Sequence, residues 1–256
     1  MNLDNVWIPK VLGLFGRAGS GKNTIAVKVG HVIPGTREYA FAAPLKEFVE
    51  AIFGISKDRL YGPSELRNAR LEQWSPDERH AIRARFWNLG KQFSYEWIAA
   101  IVDTGAEFGL LSRGKATHEL IKWFDGVMDR SKRGDVLTAR VLLQELGTDV
   151  GRAHYHTDLW AALAVRRIYR DSQVERFPLA VITDGRFENE ALLIRKLIRG
   201  KVLRVTRPVA ESSQDAHPSE HGLPDLSQCD ARISNAGTLE QLDNEVRETL
   251  DGFGWI

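Results

Sequence analysis

Gly16-Arg17-Ala18-Gly19-Ser20-Gly21-Lys22-Asn23-Thr24 is the stretch that decides the reading of this chain. It follows an apolar run, Val11-Leu12-Gly13-Leu14-Phe15, and precedes a helix-prone one, Ile25-Ala26-Val27-Lys28-Val29. A strand, a glycine-rich turn, a lysine and a helix, in that order, make a phosphate-binding loop. Glycines let the backbone wrap a polyphosphate, because no Cβ blocks the approach. The turn's N–H groups and the helix N-terminus face the anion. Lys22 adds a mobile positive charge for the outer phosphates. The position after the lysine, ordinarily Ser or Thr, is Asn23, with Thr24 one step on. A hydroxyl at that position meets magnesium in most such loops. Its absence predicts an ion held largely by nucleotide phosphates and waters, with Thr24 or Asp184 reaching it only through water.

The composition bounds the partners. The chain has 256 residues, enough for one large α/β domain with a lobe. Its formal net charge is +1, from 35 basic and 34 acidic side chains. That balance gives no ground for a polymeric nucleic acid or a membrane as partner. No apolar run approaches the roughly 20 residues of a membrane span, and no N-terminal signal pattern is visible. Cys229 is the only cysteine, so no intrachain disulfide can form, which fits a cytoplasmic protein. Nothing here speaks against a homodimer.

Along the chain, strands are expected at 11–15, 38–42, 179–183 and 201–206. Helices are expected from the loop to about residue 31 and over 45–53, 76–88, 95–102, 117–128, 138–147, 157–169, 188–198 and 239–250. Ser75-Pro76-Asp77-Glu78 reads as an N-cap with proline at the first helical position. Alternating strands and helices predict a parallel sheet with right-handed crossovers. The stretch 64–133 is helical, polar and carries Trp74, Trp87, Trp97 and Trp123, so it reads as an inserted lobe that packs. The segment 207–227 is rich in Ser, His, Asp and Pro and reads as a lid. The whole, 1–256, is read as a single α/β domain with those two additions.

Further candidates lie at element ends. Asp184 closes an apolar strand, where ligands of open α/β sheets bind. It is read either as a water-mediated magnesium contact or as a helix cap. Arg186 is a phosphate ligand or a partner of Glu190. Lys46 starts the helix after the second strand and either reaches an acceptor phosphate or is solvated. Arg140 interrupts an apolar helix face, either snorkelling or holding an anion. Leu146-Gly147-Thr148-Asp149-Val150-Gly151-Arg152 looks like the end of that helix, a corner that contacts a base or phosphate or is simply capped. Trp160 either stacks on a base or is core. His154 and His156 lack the companions of a zinc site.

Several segments together resemble the phage deoxynucleoside monophosphate kinases. They are 16–24, Phe41-Ala42-Ala43-Pro44-Leu45-Lys46, Arg140-Val141-Leu142-Leu143-Gln144-Glu145-Leu146-Gly147-Thr148-Asp149, and Asp184-Gly185-Arg186-Phe187-Glu188-Asn189-Glu190. His217-Pro218-Ser219-Glu220 is similar to the family's lid segment. The resemblance implies a P-loop kinase fold with core, helical acceptor-binding lobe and lid. It implies transfer of the ATP γ-phosphoryl group to a deoxynucleoside monophosphate, with magnesium. It assigns Arg17, Ala18, Gly19, Ser20, Gly21, Lys22, Asn23 and Thr24 to phosphates. It assigns Arg17, Lys46, Arg140, Gly147, Thr148, Arg152, Trp160, Asp184, Arg186 and Glu190 to the acceptor side. Lys22, Arg140, Asp184 and Arg186 are the catalytic set, and Arg207, His217, Ser219 and Glu220 belong to the lid. Asn23 stands where the family often has Asp. Gly185 replaces a usual apolar residue, which is expected to loosen the turn. A kinase similar to dephospho-coenzyme A kinase would share the loop but phosphorylate a hydroxyl, with Asp184 as base. A P-loop NTPase that transfers to water would ordinarily carry a hydroxyl directly after the lysine.

Overall fold

The structure, a computed structural model, describes residues 7–105, 110–198, 200–208 and 229–256. Strands β1 (Lys10–Phe15), β2 (Arg37–Tyr39), β3 (Leu179–Gly185), β4 (Lys201–Thr206) and β5 (Ala231–Ser234) form one sheet in the order β2-β3-β1-β4-β5. In chain order the helices are α1 (Lys22–Val32), α2 (Ala43–Phe53), α3 (Lys57–Tyr61), α4 (Ser64–Asn68), α5 (Pro76–Asp103), α6 (Leu110–Arg133), α7 (Ala139–Gln144), α8 (Leu159–Val174), α9 (Glu188–Ile198) and α10 (Leu239–Gly252). A π-helical segment, Glu145–Tyr155, continues α7. The chain divides into two compact units, one made of Met1–Phe41 with Ala164–Ile256, the other of Ala42–Leu163.

The first unit is the sheet and its covering helices. Every strand pairing is parallel, so both sheet faces must be covered. β1 is central, and its apolar residues are buried on both sides. Leu12 and Leu14 join Val181, Leu203, Val205 and Ile233 on one face, where α1 supplies Ile25, Ala26 and Val29 and α10 supplies Leu242, Val246 and Leu250. On the other face α9 comes so close that a Cβ on Gly13 would lie 2.4 Å from Ile194. The parallel α/β architecture expected from the alternation is therefore the one found. β2 is shorter than expected, ending at Tyr39 before α2 begins at Ala43. β5 has no counterpart among the expected strands. It is an edge strand of four residues in which Ile233 alone is buried, so its apolar signal is a single residue.

The second unit is helical and aromatic. Ser75 and Glu78 form the reciprocal capping box at the start of α5, with Pro76 at the first position. The expected helices 76–88 and 95–102 are one helix. Ile82, Phe86, Gly90, Ser94, Trp97 and Ile101 are all buried, and their spacing of three or four residues draws one continuous stripe. Likewise α6 extends well beyond the expected 117–128 at both ends. The stripe packs as rings: Phe48 meets Phe93, Trp97 and Trp123, while Phe53 meets Trp74, Trp123 and Phe124. Phe86 stacks on Phe124 with centroids 3.8 Å apart. Trp87, by contrast, is exposed.

Trp97 touches Phe48, Tyr155 and Trp160 and is 1% exposed. Trp97→Ala should destabilise the protein by about 3–5 kcal/mol, measured by chemical denaturation.

Candidate functional site

In the first unit the candidate residues gather at the carboxyl ends of the strands, where open α/β sheets bind ligands. The glycine loop leaves β1 between two neighbours. On one side Phe15 is in register with Gly185 of β3; on the other it is in register with Arg204 of β4. Gly16 is therefore pressed against β4. It has φ 157°, and a Cβ there would lie 2.3 Å from the carbonyl oxygen of Val205. The loop closes on itself through Ser20 N–H donating to Arg17 O at 3.2 Å. Lys22 is 8% exposed, and its ammonium donates to the carbonyls of Gly16 at 2.5 Å and Arg17 at 2.8 Å. The lysine charge is thus held over the loop itself rather than out in solvent.

Ser20 is fully buried, and its hydroxyl has no hydrogen-bond partner among the described protein groups. A buried hydroxyl inside a turn of amides is well matched to a phosphate oxygen. Asn23 and Thr24 are exposed in the first turn of α1, and Ala18 and Gly19 are exposed at the loop's tip. Among the described residues no group of three or more His, Cys, Asp or Glu side chains could hold a metal ion.

At the end of β3, Asp184 Oδ1 accepts the Phe41 N–H at 2.7 Å, tying β3 to the chain that leaves β2. Glu190 is 4% exposed, and its Oε2 accepts the backbone N–H of Arg186 at 2.9 Å and of Phe187 at 3.0 Å. Its carboxylate therefore reaches back to the amides of the two residues that lead into α9. Glu190 builds the turn on which Arg186 stands. Gly185 does not loosen that turn: a Cβ there would sit 2.7 Å from the Phe15 ring, so the glycine permits a close approach of β1 and β3. Arg207, exposed, follows β4. His217, Ser219 and Glu220 lie outside the described residues, as does most of the expected lid.

In the second unit, α2 begins with the residues leading to Lys46, whose ammonium lies 4.5 Å from the centre of the Tyr61 ring. Arg140, on α7, donates through Nη2 to Ser64 Oγ at 3.2 Å. Both cations are thus steadied by the short helices α3 and α4. The expected helix end at 147 is not there. Gly147, Thr148 and Arg152 lie within the π-helical segment, whose wider turn often marks a functional site. Gly147 is buried, Thr148 exposed and Arg152 half-buried. Trp160 is 5% exposed, donates its indole N–H to Gly147 O at 2.9 Å and would meet a Cβ on Gly151 at 2.5 Å. Its ring lies in the core and braces the π-helical segment from beneath. Tyr155, at the end of that segment, is bonded to Ser94 at 2.7 Å, and burial pushes its pKa up.

Two side chains escaped the sequence reading. Glu145 opens the π-helical segment and accepts both Arg130 Nη groups, at 2.7 and 2.6 Å, and the Trp123 indole N–H at 3.0 Å. Asn235, just after β5, donates to the Ser20 carbonyl at 3.0 Å. Glu145 lies within the quoted segment 140–149, but its partners on α6 are not readable from it, and Asn235-Ala236-Gly237-Thr238 signals only a turn and a helix cap.

The geometry stands beside three findings from known proteins. The model of a family described as deoxynucleotide monophosphate kinase matches residues 10–246. The chain is 29% identical over 232 residues to a deoxynucleoside-5'-monophosphate kinase of Escherichia phage T5, covering 84% of this chain and 85% of that one. It is 25% identical over 256 residues to a protein of Acanthamoeba polyphaga mimivirus named "Putative deoxynucleotide monophosphate kinase", covering 94% and 96% of the two chains.

Glu190→Ala strands the amides of Arg186 and Phe187, just before α9. It should cost about 1–3 kcal/mol in thermal or chemical denaturation.

Proposed function

The chain belongs to the deoxynucleotide monophosphate kinase family, and from that premise we propose that it transfers the γ-phosphoryl group of ATP to the phosphate of deoxynucleoside 5'-monophosphates. The products are ADP and the deoxynucleoside diphosphate. The observation that carries the reading is the loop 16–22 at the end of the central strand, with its buried hydroxyl and folded-in lysine, beside the Asp184–Glu190 turn of the adjoining strand.

The acceptor is itself a phosphate oxyanion and needs little help from a base. The protein's task is alignment and charge stabilisation. Main-chain amides of 17–22 with Ser20, Lys22, Asn23 and Thr24 take the donor phosphates. Arg140 and Arg186, with Arg17, Lys46 and Arg152, take the acceptor phosphate and spread negative charge as the bond shifts. Gly147 and Thr148 offer backbone and hydroxyl contacts, which Trp160 supports from below. Asp184 and Glu190 hold the turn that aims Arg186. Arg207 closes over the transferred group, and the helical stretch 64–133 contributes acceptor selection. Magnesium, when bound to the donor phosphates, neutralises the charge on the β- and γ-oxygens. The enzyme acts on free nucleotides in the cytoplasm, as a monomer or homodimer. No described helix is long and apolar enough to cross a membrane.

A coupled assay of ADP release separates this reading from its rivals. It should report turnover with deoxynucleoside monophosphates and little without an acceptor. Equal ADP release with no acceptor would indicate an NTPase, and turnover on dephospho-coenzyme A alone a hydroxyl-directed kinase. Lys22→Ala and Arg186→Ala should each lower kcat by about 100-fold or more, as removal of a donor to the transition state does. Near-normal turnover of Arg186→Ala would remove it from the catalytic set.

A further inference from the structure

The peptide between Ser20 and Gly21 is held from outside the loop. Asn235 sits at the end of the edge strand β5, where its backbone N–H donates to Thr206 O at 2.8 Å and fixes it beside β4. From there its side-chain Nδ2 donates to Ser20 O at 3.0 Å. Gly21, at φ 97°, leaves the space this amide fills: a Cβ on Gly21 would lie 2.1 Å from Asn235 Nδ2 and 3.2 Å from its Cγ. The carbonyl partner makes the amide nitrogen the group that faces the loop, so the contact needs a donor there and not merely bulk.

A trans peptide holds its C=O and N–H on opposite sides of the chain. Anchoring Ser20 O on Asn235 therefore turns the Gly21 N–H away from β5. The bond also fixes the backbone beside the buried Ser20 hydroxyl and one residue before Lys22. Gly21 is the N-cap of α1 and has no side chain with which to cap it, so no capping side chain sets this orientation. Two strands away in the sheet, Asn235 does so.

We infer that Asn235 is a positioning residue for the donor phosphates: its amide locks the Ser20–Gly21 peptide so that the loop's N–H groups are ordered before ATP arrives. The inference rests on the donor-binding role proposed above for the loop. An amide ordered in advance costs less to engage, so the loss of Asn235 falls on the donor and not on the acceptor.

Asn235→Ala removes the donor and the packing; Asn235→Leu keeps the bulk, stays neutral and removes the donor. In both, the KM for ATP and the calorimetric Kd for ATP with magnesium should rise by roughly tenfold, the effect of one hydrogen bond. The KM for the deoxynucleoside monophosphate should stay within about twofold, and the melting temperature should stay near wild type, as expected for a part-exposed contact. ATP affinity within about twofold of wild type in both variants would overturn the inference. So would an equal rise in both KM values accompanied by a lowered melting temperature, the mark of a merely structural contact. If wild type binds ATP but phosphorylates no deoxynucleotide, the proposed acceptor falls while the ATP Kd still decides Asn235. If wild type binds no ATP, both fall together.

Discussion

The first unit is organised round one steric constraint: where β1 ends, β4 is too close for a side chain. Gly16 stands against the Val205 carbonyl, and any Cβ there would overlap it. Only glycine lets the chain leave a central, fully paired strand and reverse at once into α1. Because β1 is flanked by β3 and β4, the reversal is bounded on one side by β3 and the Asp184–Glu190 turn that follows it and on the other by β4. The loop's chemistry is a consequence of strand order as much as of glycine content.

The second unit solves a different problem. Its core sets a cluster of aromatic rings among aliphatic side chains, and the indole N–H groups of its tryptophans need partners when buried. The Trp160 and Trp123 indoles both spend their N–H groups on the π-helical segment, one on Gly147 O and the other on Glu145. Arg130 adds a two-pronged ion pair to the same glutamate, a geometry that fixes direction as well as charge. A π-helical turn is ordinarily unfavourable and short. Here it persists for eleven residues because the tryptophans and Arg130 hold it at its start, its middle and from beneath.

How legible was this in the residues? The loop 16–24, the strands at 179 and 201 and the N-cap at Ser75 were readable because each is a local code: glycine spacing, an apolar run, a hydroxyl directly before a proline. Residues 76–103 form one helix where two were expected, over 76–88 and 95–102; Gly90, which lies between those ranges, is buried within it. Burial against Phe86 overrides glycine's weak helix propensity. The helix end expected at 147 was misread for the same kind of reason, since Gly147 and Gly151 are there for close packing and not to stop a helix. Gly185 likewise admits the Phe15 ring.

What the amino-acid order determined by itself was the class of fold, the anion-binding turn and the types of side chain available to it, because these depend on contacts among residues near in sequence. What only the tertiary structure decided was which distant groups complete them. Asn235 lies 215 residues from the carbonyl it holds. Asp184 is 143 residues from the amide it accepts. No period or motif encodes such pairs, because they arise from strand order in a sheet, and strand order is settled by the joint burial of all five strands and not by any one segment.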